Sequence, residues 1–217
     1  MDSRESFEQE KKRTLSSAEQ KRMDRFTGIS AELEEQGYAK TELTVGIVQA
    51  NVVAMAFAIP LCIVGVIAFH AVNPDTNPLI TEFSELVIAL GAFVGLTVVH
   101  ELIHGLTWSI FAESGWRDID FGFMKEYLTP YCTCSTPLPR TGYIVGTLMP
   151  LIMLGIIPTI LGIALGSALY LWIGLVMIIS AGGDMLIVYT LLRHRSAAAE
   201  KLIYDHPTQA GCVLFER

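Results

Sequence analysis

Val98-Val99-His100-Glu101-Leu102-Ile103-His104-Gly105 lies inside an apolar run that extends from Leu86 to Ala112. That run exceeds the roughly 20 residues an α-helix needs to cross a hydrocarbon core of about 30 Å at about 1.5 Å per residue. At about 100° per residue, His100 and His104 fall about 40° apart on one helical face, with Glu101 about 60° further round. Two imidazoles one turn apart can share a zinc ion while a neighbouring glutamate reaches the water bound to it. Zinc lowers the pKa of such water toward about 7, and Glu101 can take its proton and deliver it to a leaving amine. A charged residue at the centre of a membrane helix costs about 2.5–3.5 kcal/mol on insertion scales. Two histidines and a glutamate in this setting therefore point to a shared metal rather than to packing.

Three further apolar runs, Val45 to Phe69, Tyr143 to Leu165 and Leu169 to Leu192, are also long enough to cross a bilayer. Lipid offers no partner for open backbone groups, so all four must be helical. Pro60, Pro150 and Pro158 fall within these runs, where proline is tolerated and can kink the helix. Gly91-x-x-x-Gly95, Gly162-x-x-x-Gly166 and Gly182-Gly183 suit close helix packing. The loop from His70 to Glu85 and the turn Gly166-Ser167-Ala168 contain no Lys or Arg. The middle loop has Arg117, Lys125 and Arg140, and the tail has Arg193, Arg195, Lys201 and Arg217. The positive-inside rule then places both termini and the middle loop in the cytoplasm of a multi-pass cell-membrane protein. The fold class expected is an all-α integral membrane protein with four transmembrane helices and a short hairpin-like cytoplasmic loop.

A catalytic zinc usually has a third protein ligand and one open position. The longer motif that adds a third histidine would need it at position 110, which is Ile110. Asp184 is the leading candidate, as the acidic residue of the fourth run. His100 lies 14 residues beyond Leu86 and Asp184 lies 14 beyond Tyr170 on a run of the same direction, so the two sit at one depth. Glu113, Asp120 and Glu126 near the middle loop compete for this role. Asn51, polar within the first run, fits interhelical packing.

Outside the runs the chain changes character. Residues 1–43 carry eight Lys/Arg and ten Asp/Glu and read as a polar cytoplasmic region with a surface helix over Ala18 to Gln36. Residues 44–193 form the membrane unit and 194–217 a cytoplasmic tail. Trp116 to Phe123 and Tyr131 to Pro137 are strand-like around a turn at Tyr127-Leu128-Thr129-Pro130. A hairpin there, dipping toward the site, could take an extended peptide along its edge. Cys132 and Cys134 read as a reduced, non-liganding pair, and His206 to Cys212 as turn chemistry. Of the 217 residues, 52% are hydrophobic and 17% charged. Soluble domains carry about 25% charge. A net charge of −7 with no basic tract argues against nucleic acid, four scattered cysteines against a disulfide framework, and the first 40 residues against a cleaved signal peptide.

His100 to Gly105, Tyr131 to Pro150, Ser180 to Asp184 and Asp205 to Cys212 together resemble a family of bacterial and archaeal membrane proteins described as zincin peptidases. That family is distantly similar to site-2 proteases, which bind zinc through a His-Glu-x-x-His helix and an aspartate on a later span. The resemblance implies zinc on His100, His104 and Asp184, catalysis by Glu101, and a membrane protein or peptide as substrate in the lipid bilayer. Site-2 proteases place their aspartate in Asn-Pro-Asp-Gly, whereas Asp184 here follows Ala181-Gly182-Gly183 and precedes Met185. The rival readings are a non-catalytic metal-binding protein or zinc carrier, and a scaffold that grips membrane partners.

Overall fold

A computed structural model describes residues 16–44, 47–124 and 129–217. The expected turn residues Tyr127 and Leu128, the competing ligand Glu126, and Lys125 lie outside the described residues, as do residues 1–15. Helix α1 (Ser17–Glu35) opens the described chain. A capping box starts it: the Ser16 hydroxyl accepts from the Glu19 amide, and the Glu19 carboxylate accepts from the Ser16 amide at 2.9 Å. This helix is not wholly solvated. Phe26 and Leu33, seven residues apart on one face, are buried against Tyr204, Val213 and Phe215 of the tail.

Strand β1 (Ala39–Thr44) leads to the first long helix, α2 (Ile47–Val72), and then to α3 (Phe83–Trp108), which carries the histidine motif. A short 3-10 turn (Gly115–Asp118) precedes the hairpin of β2 (Ile119–Met124) and β3 (Thr129–Cys134). These strands pair antiparallel with Phe121 opposite Cys132 and Ile119 opposite Cys134, giving the hairpin expected of the middle segment, although Thr129 and Pro130, expected in its turn, pair within β3 opposite Met124 and Phe123. After the two-residue strand β4 (Leu138–Pro139), α4 (Arg140–Pro150) passes through a π-helical stretch (Leu151–Ile156) into α5 (Ile157–Leu165). Pro150 lacks an amide and loosens the α-helical ladder where the π stretch begins. The third span begins at Arg140, three residues earlier than the hydrophobicity alone suggests.

The fourth apolar run is two helices, α6 (Ala168–Ser180) and α7 (Gly182–Arg193), bent by 47°. Three helices are long and apolar enough to cross a membrane, and four if this bent pair is one span. The bundle closes through small residues. A Cβ on Gly162 would lie 2.4 Å from the backbone nitrogen of Leu171, so α5 and α6 touch at backbone distance. Leu90, Val94 and Val98 of α3 remain 60%, 69% and 54% exposed, an apolar outer face suited to lipid. Asn51 is also exposed, on α2.

The tail holds structure that the hydrophobic pattern of the spans did not announce. Strands β5 (Lys201–Asp205) and β6 (Gly211–Glu216) form a four-stranded antiparallel sheet in the order β1-β6-β5-β4. Segments before the first span and after the last are thereby joined to the hairpin end of the bundle. Two apolar runs, Leu202 to Tyr204 and Cys212 to Phe215, flank a Pro- and Gly-containing turn, which is a hairpin signature.

Phe215 is fully buried where β6 meets α1. Phe215→Ala is expected to cost about 3–5 kcal/mol, seen as a lower thermal midpoint in detergent together with faster proteolysis within α1.

Candidate metal centre

Helix α3 presents buried His100 and His104 to a cavity of about 370 Å³ that Glu101 and Asp184 also line. Their ring centroids are 4.8 Å apart. Asp184, in the first turn of α7, is carried into the cavity by the bend at Ala181. Its Oδ2 lies 3.0 Å from His100 Nε2 and its Oδ1 lies 3.5 Å from His104 Nε2. One ligand atom from each of the three residues can be chosen within 4.8 Å of the others, and among the described residues no other His, Cys, Asp and Glu group meets that condition. Glu113 is exposed beyond the end of α3. Asp120 is engaged at 2.6 Å by Arg25 of α1. Neither belongs to the cluster.

The donor set suits a cation. Tetrahedral zinc with bonds of about 2.0–2.1 Å holds its ligands about 3.3–3.4 Å apart, and the two observed separations bracket that value. His104 supplies a second argument. Its Nδ1 lies 2.9 Å from the Gly146 carbonyl, which can only accept, so Nδ1 carries the proton. In the neutral ring, Nε2 is then a lone pair aimed at a carboxylate oxygen, two acceptors facing each other. A second proton on the ring or a metal ion between them resolves the conflict, and for a metal, two imidazoles with one carboxylate match zinc. His100 Nδ1 is buried with no hydrogen-bond partner among the described residues.

The carbonyl that orients His104 is available for a local reason. In an α-helix the amide of residue 150 would bond to the carbonyl of residue 146. Residue 150 is proline, so the Gly146 oxygen is left over and turns to the histidine. The same ring stacks on Trp108 with centroids 5.0 Å apart, and Trp108 stacks on Tyr143 at 5.7 Å, both at 16°. Trp108 Nε1 donates to the Tyr143 carbonyl at 3.2 Å.

The hairpin closes the cavity from the side. A Cβ on Gly105 would meet Phe121 at 2.7 Å and Ile119 at 2.9 Å, so the glycine after the motif is what lets β2 and β3 lie on α3. The Cys132 backbone amide hydrogen-bonds the Glu101 carboxylate. Asp205, from β5, is a site residue that sequence reasoning missed. It lines the cavity, and it accepts from Tyr143 Oη at 2.7 Å and from the Cys134 amide at 3.3 Å. Burial pushes its carboxyl up to about 6. Asp205 opens one of the stretches that carry the family resemblance, but nothing local gives it a site role, since it stands at the end of an apolar strand rather than within a span. Burial also pushes up the Cys132, Cys134 and Cys212 thiols, which are free and buried. His206 Nδ1 accepts from the amides of Thr208 and Gln209 at 3.3 and 2.9 Å, a hydrogen-bonded turn.

The fold and site together are a helical bundle with three to four helices apolar enough to cross a membrane and a His-His-carboxylate cluster that could hold a metal ion. More narrowly, residues 93–199, a stretch that holds both histidines, Glu101 and Asp184, match the family model described as "Putative zincin peptidase". No curated protein and no solved structure matches the chain. The likeness to site-2 proteases thus rests on the motif alone.

Purified full-length protein is expected to bind zinc stoichiometrically, and His100→Ala, His104→Ala and Asp184→Ala each to lose it, measured by competition with a chelator of known affinity. Pro150→Ala supplies a helical amide that competes for the Gly146 oxygen and is expected to weaken binding by up to about tenfold. Unchanged affinity in Asp184→Ala would remove that carboxylate from the site.

Proposed function

We propose that this chain is a zinc-dependent peptidase that hydrolyses peptide bonds in membrane-embedded or membrane-adjacent polypeptides. His100, His104 and Asp184 hold the metal and Glu101 is the general base. The observation that carries this reading is the convergence of one ligand atom from each of the two histidines and Asp184 to within 4.8 Å of one another, with Glu101 lining the same cavity. A bound zinc would polarise the scissile carbonyl and acidify a water molecule. Glu101, oriented by the Cys132 amide, accepts a proton from the attacking water and returns it to the leaving nitrogen. Thr97, Thr147 and Ser180 line the cavity as further polar groups for a substrate backbone.

An apolar approach supports a membrane-embedded substrate. A second cavity of about 600 Å³ lies between α3 and α6, lined by Leu86, Leu90 and Phe93 with Trp172, Val176 and Met177. Leu86, Leu90, Phe93, Thr97, His100 and His104 follow one another by four, three, four, three and four residues, the repeat of one helix face. An apolar segment seated along that face is aligned with the metal site. Strand β3 limits how an extended peptide can add. Pro130 has no amide, and the amides of Cys132 and Cys134, on the same edge, are engaged by Glu101 and Asp205. An added strand must therefore bond through its own N–H groups. The hairpin and both terminal regions are assigned to the cytoplasmic side by the positive-inside rule.

Glu101→Gln is expected to retain zinc and lose hydrolysis. Labelling of new protein N-termini in membranes of cells expressing either form checks this: termini present with the wild type and absent with the variant are expected. Zinc bound at wild-type level, with no terminus dependent on Glu101, would point instead to a metal carrier.

A further inference from the structure

Two parts of the candidate metal centre touch one residue outside the segment that matches the family model. Asp205 sits on β5 of the C-terminal tail, beyond the matched residues 93–199, yet it lines the same cavity as the histidines. Each of its oxygens has a different partner. Oδ1 accepts from Tyr143 Oη at 2.7 Å, and Tyr143 begins the stack through Trp108 to His104. Oδ2 accepts from the Cys134 amide at 3.3 Å. Two residues back on the same strand, the Cys132 amide bonds Glu101.

Amides two residues apart face the same edge of a strand, and β2 occupies the other edge of β3. The cavity-facing edge is therefore held at two points, by a carboxylate from the motif helix and by a carboxylate from the tail. A two-stranded hairpin is marginally stable by itself. β3 also packs on α3, where the Cys132 thiol faces Gly105, and Arg22 of α1 lies over the Tyr131 ring at 4.5 Å. The bond to Asp205 fixes its Cys134 end.

We propose that Asp205 is a positioning residue of the metal centre: it fixes β3 so that the Cys132 amide can orient Glu101, and it fixes Tyr143 in the stack behind His104. The tail is thus a working part of the site. This assignment rests on the peptidase reading for its purpose, but not for its test. Partners that orient the residues of a metal site contribute to its performance in this way without touching the reacting atoms.

Hydrogen exchange of the full-length protein in detergent, resolved by mass spectrometry over the hairpin, tests it without any substrate. Asp205→Ala is expected to speed exchange at the Cys132 and Cys134 amides by about tenfold, the scale of a lost hydrogen bond to a charged group, while β5 and β6 stay protected. Asp205→Asn keeps an acceptor for the Cys134 amide and can donate to Tyr143 Oη, so wild-type exchange is expected. If the alanine variant does not fold, Asp205→Leu, of similar shape and without acceptors, carries the same expectation. Zinc content within about twofold of wild type in the asparagine variant keeps this test separate from the metal site itself. Wild-type exchange at Cys132 and Cys134 in the alanine or leucine variant would overturn the proposal. So would fast exchange there in Asp205→Asn, or loss of protection spread evenly over β5 and β6.

Discussion

Two imidazoles and a carboxylate gathered on apolar helices need protons or a metal ion shared among them to lie this close. His104 makes the constraint explicit, because its Nδ1 is committed to the Gly146 carbonyl and its Nε2 faces Asp184. The rest of the site serves that arrangement. The bend between α6 and α7 brings Asp184 to the level of His100. Pro150 leaves a carbonyl unpaired where His104 needs an acceptor. The aromatic stack of Trp108 and Tyr143 fixes the ring from behind. A charged or strongly polar group inside a span is costly, and each of these features either shares the charge or satisfies the hydrogen bonds.

The centre of the site was legible because burial in lipid makes polar residues conspicuous. His100, Glu101 and His104 stand out against Val98, Val99, Leu102 and Ile103, and a helical period places the histidines together. Asp184 was legible from depth, by counting equal steps along two runs of the same direction. That count works because the rise per residue is fixed, and it survives here because the bend at Ala181 comes only three residues before the aspartate. The middle hairpin announced itself by alternation and threonines.

What was not legible lies where the discriminating contrast disappears. Asp205 stands outside the spans, where an acidic residue is ordinary, and only the pairing of β5 with β4 and β6 brings it to the cavity. The sheet that joins Ala39–Thr44 to Gly211–Glu216 depends on partners more than 160 residues apart in sequence; no local period encodes that pairing. Helix α1 was expected as a surface helix over Ala18 to Gln36, but its buried face is only Phe26, Ser30 and Leu33, too sparse to signal a partner. The broken fourth span read as one run because hydrophobicity continues through Ser180 to Gly183 while the axis turns.

X-ray absorption at the zinc edge of the purified full-length protein tests the central claim most directly. Two nitrogen ligands and one protein oxygen ligand, all at about 2.0–2.2 Å, are expected, with no sulfur despite the buried Cys132 nearby. A shell containing sulfur at about 2.3 Å, or protein that holds no zinc when purified without chelator, would contradict a metal gathered by His100, His104 and Asp184.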